Sequence, residues 1–176
     1  PPTKFDPERM ATFLRLLPRD TQQALEIAHK HSDWMKERAL LEIDANRPMR
    51  HAIEIRNKTF ANAAFVDMLR EHDVALVFAE SDSGWPMFYD VTADFIYMRL
   101  HGDGKPEEGG YSDAALERWA QRVRAWNRGE EPENTNRVTT ATPPARPRDV
   151  YGFFDGEAIK LRAPADAQVL QKKVMG

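Results

Sequence analysis

The fold class is decided by the stretch DFIYMRLHG at residues 94–102. Its side chains alternate in character, which is typical of a β-strand with two different faces. One face is aliphatic and consists of Ile96, Met98 and Leu100. The other face is aromatic at its start and charged at its end, and consists of Phe95, Tyr97, Arg99 and His101. Functional side chains collect at the C-terminal ends of parallel strands, so this stretch predicts both a strand and a site.

Three further stretches have the same form: HAIEIR at residues 51–56, VALVFAE at 74–80 and DVYGFFD at 149–155. Each is an apolar run whose polar residues lie mainly at its C-terminal end, and a loop and usually a helix follow. Strands that alternate with helices pair in parallel through right-handed crossovers. The sequence therefore predicts an α/β protein with about four parallel strands.

Several helices are predicted from their caps and their apolar spacing. Asp6 before Pro7 and Ser112 before Asp113 are N-cap patterns. The predicted helices begin at these caps and near Asp20, and two more cover about 62–72 and 164–174. The helix from Asp20 is expected to extend to about Ile43. Three tryptophans on predicted helices are expected in the core: Trp34, Trp119 and Trp126.

The segment 128–148 is polar and rich in proline, threonine and glutamate. Such a composition favours a mobile loop. Because one more strand follows it, the segment is interpreted as an excursion within a single domain that covers residues 1–176, and not as a domain boundary.

The composition excludes several classes of protein. The 176 residues carry a net charge of −3 and no cysteine, so disulfides and thiolate metal sites are ruled out. There is no basic tract for nucleic acid and no apolar run of about 20 residues that would span a membrane. These features predict a cytoplasmic protein without a membrane-spanning segment.

The charged strand faces favour a barrel over an open sheet. Glycine-rich phosphate-binding motifs of open nucleotide-binding sheets are missing from the sequence. In a (β/α)₈ barrel, the residues that face the lumen near the C-terminal end are often polar. Four strands are half of the eight that such a barrel requires.

Several motifs, in order, resemble one family. They are residues 51–56, Trp85-Pro86, residues 90–102, Tyr111 with residues 119–126, and residues 162–167. Together they resemble the YecE-like family, also called domain of unknown function 72, a TIM-barrel-like group. The resemblance implies the C-terminal half of a barrel, strands five to eight. One departure follows the last strand, where the family has Phe-(Asp/Asn)-Asn and this chain has Gly156 in place of the final Asn.

The candidate catalytic residues are Glu54 and His101, and each has two interpretations. Glu54 is an acid/base group beside the anion-binding guanidinium of Arg56, or it belongs to an internal ion-pair network with Arg99. His101 is a general base near neutral pH, or it is a histidine hydrogen-bonded to a loop carbonyl. Arg99 is suited to bidentate capture of a carboxylate or phosphate.

The remaining candidate ligand-binding residues are Tyr97, Trp85 and Asp155. Trp85 lies in a Gly-Trp-Pro loop, where it either stacks on a ligand or packs over the barrel mouth. A divalent metal is a weaker alternative, with ligand types from Glu54, Glu80, His101 and Asp155. None of these residues lies in an HxH or HExxH spacing, and nearby arginines would repel a cation. The sequence therefore assigns no metal site and no cofactor.

The leading functional hypothesis is a barrel protein that binds a small anionic or phosphorylated ligand at the C-terminal face of the strands. Whether it is an enzyme stays open at this point, and a hydrolase or an isomerase of TIM-barrel type is the class considered. The argument is that two guanidinium groups, Arg56 and Arg99, outnumber the single Glu54 on the same face. The alternatives are a barrel that processes a phosphodiester or nucleic acid, and a non-catalytic scaffold.

The unpaired edges of a half-barrel add an expectation about partners. The inner-face aromatics Phe95 and Tyr97 would be exposed, which monomers rarely tolerate. We therefore expect a complementary N-terminal half-barrel, or a second copy of the chain, to cover this face.

Overall fold

The chain folds around one parallel sheet. A computed structural model describes residues 3–80, 84–103, 110–133, 135–141, 143–155 and 162–176. Within these residues the strands are β1 (His51–Ile53), β2 (Val74–Glu80), β3 (Phe95–Leu100) and β4 (Asp149–Phe154). They pair in parallel in the order β1-β2-β3-β4. The predicted α/β class is confirmed, and the architecture is consistent with half of a TIM-barrel-like fold.

The described helices are α1 (Pro7–Leu16), α2 (Thr21–Ala28), α3 (Ala63–Glu71), α4 (Asp113–Arg128) and α5 (Ala163–Met175). The predicted caps are confirmed, because Asp6 accepts a hydrogen bond from the Arg9 amide at 3.0 Å. Ser112 likewise accepts from the Ala115 amide at 3.2 Å. At the other end of α4, Gly129 adopts φ +81°, a conformation that favours glycine. No helix in the described part of the chain is both long and apolar enough to cross a membrane.

The second helix is much shorter than the sequence predicts. It ends at Ala28, and only a short 3₁₀ turn, Asp33–Met35, follows before β1. The cause is that the chain must return to the start of α2, where the Thr21 amide donates to the Arg47 carbonyl at 2.9 Å. A helix extended to Ile43 would be about 34 Å long. The four residues from there to Arg47 span at most about 14 Å, too little to return.

One of the three tryptophans, in the same region as the end of α2, does not lie in the core as predicted. Trp119 and Trp126 are buried, as predicted. Trp34 is 72% exposed, so its predicted place in the core is wrong. It follows the end of α2, and its ring contacts the guanidinium of Arg38, 4.8 Å away, at the surface.

The two faces of β3 pack as their alternation predicts. Its aliphatic face joins the main core under α4, which includes Trp119 and Trp126. On the opposite, concave face, Phe95 and Tyr97 form a smaller cluster with alanines of the neighbouring segments. Tyr97 stacks on Phe153 with ring centroids 4.8 Å apart. The concave face therefore carries aromatic rings between its two ends, and we call Phe95, Tyr97, Tyr151 and Phe153 the aromatic band.

One ion pair crosses the concave face at the N-terminal end of the strands. Arg50, just before β1, donates to Asp149 of β4 at 2.9 Å and to the Tyr151 hydroxyl. Its guanidinium lies 4.8 Å from the ring centroid of Phe95. The first and last strands of the sheet are thus linked across β2 and β3.

The segment between α4 and β4 contains no helix or strand among its described residues, and it has specific anchors. The buried Asp90 carboxylate accepts hydrogen bonds from the amides of Val138 at 2.6 Å and Thr139 at 3.0 Å. The Tyr89 amide donates to the Asn136 carbonyl at 2.8 Å. These contacts attach the segment to the chain before β3, and its mobility stays a prediction.

Candidate functional site

Four charged side chains meet on the concave face at the C-terminal ends of the strands. They are Glu54, Arg56, Arg99 and Asp155, and we call them the charged cluster. Glu54 Oε2 accepts a hydrogen bond from Arg99 Nη1 at 2.6 Å, and Glu54 Oε1 accepts one from Arg56 Nε at 2.8 Å. Arg99 also donates to Asp155 from Nε at 3.1 Å and from Nη2. Residues from three segments of the sequence thereby form one continuous network.

The strand register explains how this network forms. Arg99 of β3 pairs with Ala79 of β2, and Ala52 of β1 pairs with Ala75 of β2. Arg99 and Glu54 are therefore separated by the width of β2. Arg99 reaches Glu54 across β2, beside the small side chain of Ala79, its partner in the strand register.

The network keeps its acids ionised. Burial by itself would raise the pKa of Glu54, but hydrogen bonds from Arg99 and Arg56 outweigh it and hold the pKa below its ordinary value. The hydrogen bond from Arg99 also lowers the pKa of Asp155. The same acids raise the pKa of Arg99. Glu54, Asp155 and Arg99 are therefore charged at neutral pH.

The sequence argument for an anion bound between Arg56 and Arg99 counted too few carboxylates and is corrected here. The argument set two guanidinium groups against Glu54 alone. In the structure Glu54 accepts from both arginines, and Asp155 supplies a second carboxylate to Arg99. The charged cluster is neutral in sum, so no excess of positive charge attracts an anion. The internal ion-pair network of Glu54 with Arg99 is present.

Arg56 makes fewer hydrogen bonds to described residues than Arg99 does. Its guanidinium carbon lies 4.1 Å from the ring centroid of Trp85, so the indole covers one face of the group. Its Nε is bound to Glu54. None of the residues that the structure describes accepts a hydrogen bond from its Nη1 or Nη2. Arg56 is therefore held on two sides, and its side chain is 39% exposed.

The other predicted site residues lie around the cluster. His101 follows β3, and its amide lies 3.3 Å from the Glu80 carbonyl that accepts its hydrogen bond. Its buried Nε2 has no hydrogen-bond partner among the described residues. Tyr97 lies earlier on β3, in the aromatic band, and does not bond to the charged cluster. The described residues contain no group of three or more acidic or histidine side chains that could hold a metal ion.

Two carboxylates at the rim were not predicted as structural groups. Buried Asp166, near the start of α5, accepts from the Tyr111 amide at 2.8 Å. Glu80, at the end of β2, accepts from Trp119 Nε1 at 2.9 Å. Asp166 links the first turn of α5 to the residue two positions before α4, and Glu80 links the end of β2 to α4. The motif at 162–167 pointed to this region, but it gave no indication that Asp166 caps a distant amide.

Parallel strands with helices on one face and a polar network at their C-terminal ends define a TIM-barrel-like α/β protein. A family model described as protein of unknown function DUF72 matches residues 1–176. The chain belongs to this family, as the motifs predicted. No curated protein matches the chain. No solved structure matches it.

Proposed function

We propose that the chain binds a small anionic ligand at the C-terminal ends of its strands, with Arg56 as the principal contact. The observation that carries the proposal is the guanidinium of Arg56, which stacks on Trp85 and whose Nη atoms bond to none of the residues that the structure describes. An arginine edge donates two parallel N–H bonds and is suited to bidentate binding of an anion.

The neighbours of Arg56 prepare it for binding. Glu54 holds Nε, and Trp85 covers one face of the guanidinium, so the plane of the group is defined before a ligand arrives. Pre-organisation of this kind lowers the entropic cost of binding. Arg99 donates to Glu54 and Asp155, holds Glu54 in place and is not the principal anion contact in this proposal.

The proposal includes acid/base roles for Glu54 and His101. Because the pKa of Glu54 is lowered, this carboxylate is ionised at neutral pH and suited to accept a proton, not to donate one. His101 stays the second acid/base candidate, as the sequence predicts. A hydrolase or an isomerase would use such a pair of acid/base groups. The cytoplasmic location stays a prediction from the sequence.

The test is isothermal titration of the chain with benzoate and inorganic phosphate, comparing Arg56→Ala with a matched control. Loss of a charge-assisted hydrogen bond costs about 1.5–3 kcal/mol, so Arg56→Ala should weaken binding about 10- to 100-fold. The control is Arg128→Ala. Arg128 also pairs with a glutamate two residues away, Glu130 at 2.7 Å, at the opposite end of α4 from the site. Equal affinities of the two variants would contradict the proposal.

We further propose that a complementary half-barrel, or a second copy of the chain, covers the concave face. On the outermost strand β4, Tyr151 is 40% and Phe153 is 49% exposed. An exposed edge strand with exposed aromatics favours a partner. Light scattering with thermal unfolding tests this point, and a 20.2 kDa monomer that unfolds cooperatively would contradict it.

A further inference from the structure

A cavity lies at the N-terminal ends of the strands, at the opposite end of the sheet from the charged cluster. Its volume is about 340 Å³, within the range of small-molecule sites. The described residues that line it include Asp73 just before β2, Ala93 shortly before β3 and Arg148 just before β4. Arg70 of α3 and Arg146 complete its charged lining, and we call this cavity the arginine pocket.

The lining of the arginine pocket is predominantly positive. Three guanidinium groups line it, against the single carboxylate of Asp73. Arg70 has two further acids nearby, but Asp90 lies 3.7 Å away, beyond hydrogen-bond distance, and Asp67, at 3.4 Å, is 67% exposed. Asp90 also accepts hydrogen bonds from two backbone amides of the segment before β4, so part of its charge is compensated there.

The guanidinium of Arg148 is buried without full compensation. Its side chain is 1% exposed, and its Nε and Nη1 have no hydrogen-bond partner among the described residues. Glu131 lies 3.9 Å from Nη1, too far for a hydrogen bond, and it is shared with Arg137, whose charge also acts on it. Burial lowers the pKa of Arg148; Glu131 opposes this effect, and the nearby positive charge of Arg146 adds to it. Two like charges are therefore held close together at one wall of the pocket.

Water alone does not balance this arrangement. It can accept hydrogen bonds from N–H groups, but it carries no charge to offset the repulsion between Arg146 and Arg148. Four arginines and three buried or lining acids leave one positive charge in excess, with the exposed Asp67 screened by water. An oxyanion both accepts hydrogen bonds from guanidinium groups and supplies the missing negative charge.

We propose that the arginine pocket binds the phosphate or carboxylate group of a small molecule. Arg70, 21% exposed, and the exposed Arg146 are its contacts. Arg148 contributes its charge from within the wall. The proposal does not depend on Arg56 or on the charged cluster.

The arginine pocket is suited to binding and not to catalysis. The hydroxyl in its described lining, that of Thr92, donates to the Val74 carbonyl at 2.7 Å and accepts from the Leu76 amide at 2.8 Å, so it is not free to react. Chemistry in TIM-barrel proteins takes place at the C-terminal ends of the strands. An anion bound here would instead join α3 to the segment before β4 and stabilise the folded chain.

Isothermal titration with inorganic phosphate tests the proposal in the Arg56→Ala chain, which lacks the anion contact proposed for the charged cluster. In this background, Arg146→Ala should weaken phosphate binding about tenfold or more, because a donor of charge-assisted hydrogen bonds is lost. The control is Arg118→Ala, which removes an arginine of α4 that is 60% exposed and lies near Asp103, after β3. It should leave the affinity unchanged. Benzoate in the same background shows whether carboxylates bind as well as phosphate.

NMR shifts of the backbone amides locate the bound anion. In the Arg56→Ala chain, phosphate should move the signals of Ala93 and Ala141, which line the arginine pocket. The signal of Trp85, beside position 56, should stay in place.

The outcomes for the two sites are distinct. Phosphate binding that persists in Arg56→Ala and falls with Arg146→Ala supports the arginine pocket, whatever the result at Arg56. If Arg56→Ala alone abolishes phosphate binding, the proposed function stands and this inference is overturned. Equal effects of Arg146→Ala and Arg118→Ala, or shifted amides outside the pocket, also overturn it. A native chain that binds neither phosphate nor benzoate contradicts both proposals.

Discussion

Replacing Glu54 by glutamine tests the charged cluster most directly, because it removes a charge and keeps the shape. Glu54 accepts hydrogen bonds of 2.6 Å from Arg99 and 2.8 Å from Arg56, and its side chain is 16% exposed. Breaking a buried ion pair costs about 3–5 kcal/mol, and an exposed pair contributes about 0–1 kcal/mol. Glu54 lies between these limits, and glutamine retains one acceptor oxygen. We therefore expect the free energy of unfolding to fall by about 2 kcal/mol at neutral pH.

The size of this loss should depend on pH. The native pKa of Glu54 lies below its ordinary value of 4.5, so near that pH the unfolded chain binds more protons than the native chain. The stabilising contribution of the carboxylate is complete above the ordinary value and is lost as the pH falls through the native pKa. The difference between the native chain and Glu54→Gln should therefore be constant around neutral pH and should shrink in acid.

Urea unfolding, followed by the fluorescence of the buried Trp119 and Trp126, measures this difference across the pH range. Glu130→Gln is the control, because Glu130 pairs with Arg128 at an exposed position and should give a much smaller change. A loss for Glu54→Gln that does not vary with pH, or that equals the loss for the control, would refute the reasoning.

Three further substitutions test the supports of the site, each by urea or thermal unfolding. Ala79→Leu should place a larger side chain beside Arg99, its partner in the strand register, destabilise the chain by about 1–3 kcal/mol, and leave little further effect for Glu54→Gln. Asp166→Ala should cost about 1–3 kcal/mol, because the buried Tyr111 amide loses its acceptor. Gly129→Ala should cost at least about 1 kcal/mol, because φ is +81° and a Cβ would lie 2.5 Å from the backbone of Arg146.

The outcomes that contradict these predictions are specific to each substitution. Additive effects of Ala79→Leu and Glu54→Gln would show that Arg99 does not depend on the small side chain of Ala79. An unchanged melting temperature for Asp166→Ala would show that the Tyr111 amide finds another acceptor. A Gly129→Ala chain as stable as the native one would show that the end of α4 relaxes without cost.

The strand alternation could be predicted from the sequence, because it is a local property. The faces of β3 follow from a period of two, and the structure places Ile96 in the core and Arg99 on the concave face accordingly. The length of α2 could not be predicted in this way. Its apolar spacing contains no information about the return of Arg47 to Thr21.

The charged cluster was predictable in its members but not in its connections. Glu54, Arg56, Arg99 and Asp155 were all candidates, since each lies at the end of a predicted strand. That Asp155 neutralises Arg99 depends on the alignment of β4 with β3, which the sequence does not specify. The orientation of the Arg56 guanidinium likewise depends on where the loop places the Trp85 ring.

Ion pairs link separate strands at both ends of the concave face. At one end Arg99 links Glu54 to Asp155, and at the other end Arg50 reaches Asp149. Both sets join strands that are not neighbours in the sheet, so each restrains the strand positions in addition to the backbone hydrogen bonds between neighbouring strands. Salt weakens attraction between charges. These restraints are therefore electrostatic and separate from the hydrophobic core on the other face of the sheet.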